Sequence, residues 1–297
     1  MNARKKEALT GYLFAAPWLI GFCVFLLYPL LASLYYSFCD YSVLKPPVWI
    51  GSANYTGLFQ DEVFRITLWN TAFYAVLSIA FGLCFTLSLA LLLNSKVKGM
   101  TIYRTLFYVP SLVPSVSLAV LWLWVFNGQH GIVNELLKGP FKLMHLDLPN
   151  WLGDPNWAKP ALILMSIWGA GNTVIIYLAG LQDIPVHLYE AAQLDGASWW
   201  EKTKNVTIPM LSPVIFFNFI MGIIGSIQVF TVPYIMFPGG SPSRSTYFLV
   251  MYLFDNAFIY HKMGYACAMG WIMFVIILSL TWLARTLSEK YVYYEGS

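Results

Sequence analysis

The chain has 297 residues, of which 59% are hydrophobic and only 10% charged, with a formal net charge of +3. Its mean hydropathy of +0.64 lies far from a soluble globular average and leaves room for several membrane spans and little else. The small positive charge, with no basic run interleaved with aromatics, gives no footprint for nucleic acid.

Six stretches are long enough to cross a bilayer core, which needs about twenty apolar residues. They run at 11–38, 66–93, 106–126, 160–181, 210–236 and 264–284. None contains Asp, Glu, Lys or Arg. Each such residue at mid-membrane costs roughly 2.5–3.5 kcal/mol, so the absence marks lipid-facing helices. The first stretch is too long for a signal peptide, lacks a small-residue cleavage site and runs on through Tyr35 and Tyr36, so it reads as retained. Trp18, Trp69, Trp122, Trp124, Trp271 and Trp282 fall within or near span ends, as interfacial anchors do.

In the third span, Pro110 and Pro114 predict a kink. The fourth carries Trp168-Gly169-Ala170-Gly171-Asn172. Glycine weakens a helix there by roughly 1 kcal/mol relative to Ala, which suits close approach of a ligand or of a neighbouring helix. Trp168 and Asn172 are four apart and share one face of a continuous helix. The fifth span adds Asn218, Gly222, Ser226 and Gln228, with 222 and 226 on one face. A tryptophan face and an asparagine amide suit a sugar. Small residues and an interhelical hydrogen bond from Asn172 equally suit helix packing.

Between the fourth and fifth spans lies a polar island, Tyr189-Glu190-Ala191-Ala192-Gln193-Leu194-Asp195-Gly196-Ala197-Ser198, followed by Ile208-Pro209. Pro185 suits a helix start, because its missing N–H costs nothing in the first turn. Val186 to Leu194 are good helix formers, and Asp195-Gly196 is a turn signal. A second short helix is expected from Ala197 to about Asn205, with Pro209 opening the next span. The small side chains, with Glu190 and Asp195, suit contact with another protein; an ordinary amphipathic connector would have the same outline.

Basic residues set the orientation. Arg4, Lys5, Lys6, Lys96, Lys98, Arg104, Lys202, Lys204, Arg285 and Lys290 lie on one side, dense and close to span ends. Lys45, Arg65, Lys138, Lys142, Lys159, Arg244 and Lys262 are spread over longer loops on the other. The first side is therefore cytoplasmic, with both termini and the Glu190 segment.

Cys23, Cys39, Cys84 and Cys267 have no metal-ligand or redox spacing, and His130, His145, His187 and His261 have no His or Cys at i+3 or i+4. No catalytic residue or metal site is expected. The chain contains no Gly-Lys dipeptide, hence no phosphate-cradling P-loop. If ATP drives it, another polypeptide binds the nucleotide.

The island's pattern, with Glu190, Ala191, Ala192, Asp195, Gly196, Ala197, Ser198, Trp200, Thr207 and Pro209, resembles the signature loop of permease subunits of bacterial ABC importers, in the carbohydrate branch. Where that family usually has an aromatic residue, this chain has Thr203, with Trp199 as the expected compensation. Further matches cover nearly the whole chain and are similar to the first, maltose-type permease subunit. They are Phe14-Ala15-Ala16-Pro17, Tyr28-Pro29-Leu30, Ser37-Phe38, Asn70-Thr71, Tyr103-Arg104-Thr105, Val109-Pro110 and Gly131-Ile132-Val133-Asn134. Later come Pro238-Gly239-Gly240-Ser241-Pro242, Gly264-Tyr265-Ala266 and the tail Tyr291 to Gly296.

The resemblance implies an all-α, six-span protein of the type I ABC importer permease fold, in the bacterial cytoplasmic (inner) membrane. Residues 1–65 would hold the N-terminal tail, first span and an extracytoplasmic loop. Residues 66–287 would form the core permease domain, with a coupling loop at 182–209, and 288–297 a cytoplasmic tail. Implied partners are a second homologous permease, two ATPase subunits that bind ATP and Mg, an extracytoplasmic solute-binding protein, a carbohydrate and membrane lipid. This chain itself would hold no cofactor. Glu190, Ala191, Ala192, Asp195 and Gly196 would dock the ATPase. Trp168, Gly169, Asn172, Gly222 and Ser226 would line the sugar path. The alternative, an ion-coupled secondary transporter, predicts intramembrane carboxylates, and an intramembrane enzyme predicts a clustered catalytic set. Neither signal is present in the spans.

Overall fold

The computed structural model describes residues 3–95, 97–289 and 292, with side chains from Thr10 onward. Lys96, Lys290, Tyr291, Tyr293, Tyr294, Glu295 and Gly296, and the side chains of Arg4, Lys5 and Lys6, lie outside the described residues. Four helices are long and apolar enough to cross a membrane: Thr10–Ser37, Glu62–Leu93, Trp199–Met236 and Met263–Ser288. Two bent pairs, Met100–Leu112 with Ser115–Val125 and Pro155–Trp168 with Gly171–Gln182, bring the number to six if each pair is one span.

The chain divides into two compact units. The first comprises Met1–Glu62 and Leu253–Phe274. In it α1 (Ala3–Phe22) passes through one wide helical turn at Cys23–Leu27 into α2 (Tyr28–Ser37). Strands β1 (Cys39–Asp40) and β2 (Val48–Trp49) follow as an antiparallel pair, Cys39 opposite Trp49, and then α3 (Ala53–Gln60). The Asn54 amide donates to the carbonyls of Ser37 and Cys39, both at 2.9 Å, tying α3 back to the end of α2. Gly264 N–H donates to Tyr41 O at 3.0 Å, and the Tyr265 hydroxyl to Asp61 at 2.8 Å. The first residues of the last helix are thus seated on this small hairpin.

The second unit comprises Val63–Tyr252 and Val275–Ser297. It holds most of α4 (Glu62–Leu93), then α5 (Met100–Tyr108), α6 (Ser115–Val125), α7 (Ile132–Leu143), α8 (Pro155–Trp168) and α9 (Gly171–Gln182). After these come α10 (Val186–Leu194), α11 (Trp199–Lys202), α12 (Ile208–Ile227) and α13 (Thr231–Met236). Helices α14 (Leu249–Phe254) and α15 (Met263–Ser288) run through both units.

Two of the predicted spans are sharply bent. Between α5 and α6 the chain turns by 101°, far more than a proline kink. Val113 is extended, at φ −72° and ψ 125°, as a residue before proline prefers, and Pro114 then caps α6. Between α8 and α9 the bend is 46°, at Gly169-Ala170. This corrects one expectation: Trp168 ends α8 and Asn172 begins α9, so they do not share the face of one continuous helix. Gly171 is required where it stands, because a Cβ there would lie 2.7 Å from the Phe107 carbonyl oxygen and 3.0 Å from the Tyr108 Cα. The break in α8–α9 therefore packs directly on the backbone of α5.

Two apolar clusters hold this unit. One gathers Trp122, Phe126, Trp151, Ala158, Leu162, Phe237 and Phe248. The other gathers Ala90, Leu93, Tyr177, Leu178, Leu181, Ile184 and Leu211, with Leu188, Tyr189, Val206 and Met210 against it. Asn70, 3% exposed, donates to the carbonyls of Arg244 (2.8 Å) and Tyr247 (3.1 Å) and accepts from Lys159 Nζ (2.9 Å). The neighbouring Thr71 hydroxyl accepts from the Leu249 amide at 2.9 Å. The Asn70-Thr71 pair near the start of α4 thus fixes the connection between α13 and α14.

Candidate functional site

The segment between α9 and α12 is built as a closed helical bracket. Pro185 caps α10 from an extended conformation. At the other end Gly196 has φ +78°, a left-handed position that glycine takes at no steric cost. Ala197 N–H donates to Ala192 O at 2.9 Å and Gly196 N–H to Gln193 O at 3.1 Å. These are the two bonds of a Schellman motif, which satisfies carbonyls a helix end would leave bare. Two residues on, Ser198 and Glu201 form a capping box: Ser198 N–H donates to Glu201 Oε2 at 2.7 Å and Glu201 N–H to Ser198 Oγ at 3.4 Å. The Ser198 side chain and then its backbone N–H hold the Glu201 carboxyl below its usual range.

The expected second short helix is not separate. It begins at Trp199, continues through a wide turn at Thr203–Thr207, and runs without a break into α12, where Pro209 lies in the first turn. Thr203 is buried, and its hydroxyl donates to Trp199 O at 2.9 Å. The position where an aromatic was expected is therefore filled by a self-satisfied hydroxyl, while Trp199 is exposed.

Helix α10 has two faces. Leu188 and Tyr189 turn inward onto the cluster of Leu181, Ile184 and Leu211. Glu190 and Ala191 face outward, as do Asp195 and Gly196, and Ala192 is half-buried. Val186, Glu190 and Leu194, at i, i+4 and i+8, form an exposed ridge, with Leu194 90% exposed.

The residues proposed for a sugar path are partly brought together. Gly222 lines a cavity of about 210 Å³ with Ser78, Gly82, Thr86, Thr173 and Asn218. Trp168 lines a neighbouring cavity of about 370 Å³ with Tyr103, Phe107, Pro110 and Gly171. Ala170, in the break between α8 and α9, lines both. Gly169, Asn172 and Ser226 line neither; Asn172 is exposed, and Ser226 is buried with its hydroxyl bonded to Ile223 O at 3.2 Å. Sequence reasoning missed Ser78, Gly82, Thr86 and Thr173. A signal was available: 78, 82 and 86 recur every four residues, one helix face of small and hydroxyl side chains. A third cavity, of about 480 Å³ among α4, α12 and α15, is lined by apolar residues apart from Thr71 and offers little to a sugar.

Residues 82–293 match the family described as the binding-protein-dependent transport system inner membrane component. The chain belongs to this family. The permease is 40% identical over 296 residues to the "Probable ABC transporter permease protein YesP" of Bacillus subtilis (strain 168), covering 98% of this chain and 94% of that one. It is 33% identical over 278 residues to the sulfoquinovosyl glycerol transport system permease protein SmoG of Agrobacterium fabrum, covering 93% and 89%. It also matches a chain of a bacterial alginate ABC transporter, solved in complex with an alginate pentasaccharide-bound periplasmic protein. There the TM-score is 0.83 at 25% identity, over 96% of both chains. The permease thus has the type I importer fold that the motifs implied, and it is a membrane transport component rather than an enzyme.

Proposed function

We propose that this permease passes a carbohydrate through the cytoplasmic membrane, using ATP hydrolysed by separate subunits docked on α10. The observation that carries the reading is a connection. Thr173 on α9 and Asn218, Met221 and Gly222 on α12 line the cavity of about 210 Å³, and segment 183–207 joins the ends of those same two helices. A subunit that grips the outward ridge of α10 therefore holds two of the cavity's walls, α9 and α12, against the third, which α4 supplies with Ser78, Gly82 and Thr86. Glu190, Ala191, Ala192, Asp195 and Gly196 form the gripped surface, with small side chains allowing close approach. Gly222 with Thr86, Thr173 and Asn218, and Trp168 in the neighbouring cavity, bound the path; Gly169 and Asn172 flank it at the break between α8 and α9, and Ser226 lies one turn beyond Gly222 on α12.

The saccharide class is supported by the relatives, whose names include sulfoquinovosyl glycerol and arabinooligosaccharide transport and whose structural counterpart carries alginate. A second, related permease completes the pathway, two ATPase subunits hold ATP and Mg, and a binding protein delivers substrate on the opposite face. The positive-inside pattern puts α10 and both termini in the cytoplasm.

The test is reconstitution of the whole transporter in proteoliposomes. Saccharide uptake should require both the binding protein and ATP. Uptake driven by a proton or sodium gradient without ATP would replace this reading with secondary transport.

A further inference from the structure

The hydroxyls of Tyr189 and Thr207 lie 2.9 Å apart. Tyr189 is on the inward face of α10, the residue before Glu190. Thr207 is 5% exposed and ends the wide turn that leads into α12. The Thr207 hydroxyl also reaches back across that turn to the Lys202 carbonyl, at 3.4 Å. Either hydroxyl can donate to the other, and the Thr207 hydroxyl donates to the Lys202 carbonyl when it takes its proton from Tyr189.

The placement of this pair is unusual. The backbone between α10 and α12 passes through Gly196, whose left-handed turn meets no heavy atom within 4 Å at its Cβ position. It then passes through a wide turn, a five-residue loosening of the helix of the kind that recurs at functional sites. Both lie on the covalent path from α10 to α12. The Tyr189–Thr207 bond bypasses them and ties the docking helix straight to the first residue before α12. From there an unbroken helix carries Asn218 and Gly222 to the cavity.

We infer that Tyr189 and Thr207 are positioning residues for coupling: their hydrogen bond is the strut through which movement of α10 reaches α12. Without it, α10 still docks but has lost its polar tie to the start of α12, and more ATP is hydrolysed for each displacement of the cavity wall. This rests on the docking reading of α10. The ring of Tyr189 packs in the cluster that also takes in Val206, Met210 and Leu211, so removing the hydroxyl alone leaves the apolar contact between α10 and α12 in place and isolates the contribution of the hydrogen bond.

The experiment uses the complete transporter in proteoliposomes, with Tyr189→Phe, Thr207→Val, Thr207→Ser and the double Tyr189→Phe/Thr207→Val. Tyr189→Phe keeps the ring, and Thr207→Val keeps the shape. Co-purification with the ATPase subunits should match the unsubstituted complex in all four. Loss of one hydrogen bond should raise the ATP hydrolysed per saccharide imported by about fivefold in each of the first two. The double variant should be no worse than Thr207→Val, because the shared Tyr189–Thr207 bond is already absent in each single variant, and Thr207→Ser should restore the ratio. The inference is overturned if the ratio stays at its unsubstituted value, if the double variant multiplies the two losses, or if activity falls only in proportion to thermal stability. Failure of the docking reading gives a different pattern: Glu190→Lys would then leave uptake intact, whatever the Tyr189 and Thr207 variants do.

Discussion

The Ala197 amide donates to the Ala192 carbonyl at 2.9 Å across the left-handed residue Gly196. This bond and its partner from Gly196 fix where α10 stops and where the chain reverses. Gly196→Ala should be mild: its Cβ would meet no atom within 4 Å, so only the left-handed backbone strain of about 1–2 kcal/mol remains. Gly196→Pro should be severe, because proline cannot adopt φ +78° and removes the N–H bonded to Gln193. Uptake at matched membrane abundance checks this. The alanine variant should keep most of the transport and the proline variant lose it.

A second expectation concerns Asn70. Asn70→Ala would remove one hydrogen bond each from the Arg244 and Tyr247 carbonyls and the Lys159 ammonium, the Arg244 carbonyl keeping the Tyr247 N–H at 3.2 Å. A buried group stripped of its partner costs about 1–3 kcal/mol, so thermal unfolding in detergent should drop by several degrees. Trypsin should also cut faster after Arg244, whose carbonyl Asn70 now holds. Unchanged cleavage would mean that the connection is held by other contacts.

These two sites differ in how far they could be read from the residues alone. Pro185, Asp195-Gly196 and the helix-forming run between them act through local chemistry, and α10 with its turn follows the expectation residue by residue. Asn70 and Thr71 stood out only as part of a family pattern. Their long-range partners are 89 to 178 residues away, and no local rule names them. The same division explains the broken spans. Hydropathy identifies 106–126 and 160–181 as apolar enough to cross, but it is blind to direction. The 101° turn depends on Val113 being extended before Pro114, and the 46° bend on Gly171 packing against the Phe107 carbonyl. The cavity wall was half legible: Asn218 and Gly222 were visible as polar and small positions, whereas Ser78, Gly82 and Thr86 were hidden in an apolar run.

A third expectation concerns the cavity. A Cβ at Gly222 would sit 3.4 Å from Ile79 Cγ1, so Gly222→Ala should be tolerated. Gly222→Trp would occupy most of the roughly 210 Å³ beside it. Uptake should then fail while binding-protein-stimulated ATP hydrolysis largely survives. Trp168→Ala and Asn172→Ala should each lower uptake and alter saccharide preference, by an amount worth about 1 kcal/mol. Loss of assembly with no change in preference would assign both to packing.

A fourth concerns orientation. Ser198 and Ser241 are both exposed. A cysteine at Ser198 should react with a membrane-impermeant thiol reagent only once the cytoplasmic side is opened. One at Ser241 should react in intact cells after the outer layer is made permeable. The reverse pattern would place α10 on the wrong face for an ATPase.

The most direct measurement is ATP-driven saccharide uptake by the complete transporter carrying Glu190→Lys. Glu190 sits on the outward ridge of α10, away from the core, so the reversed charge should leave the protein inserted and folded. With its surface turned from acidic to basic, α10 should lose its hold on the ATPase, and hydrolysis should no longer be coupled to uptake. Unsubstituted uptake rates, at equal membrane abundance, would contradict the assignment of α10 as the docking helix.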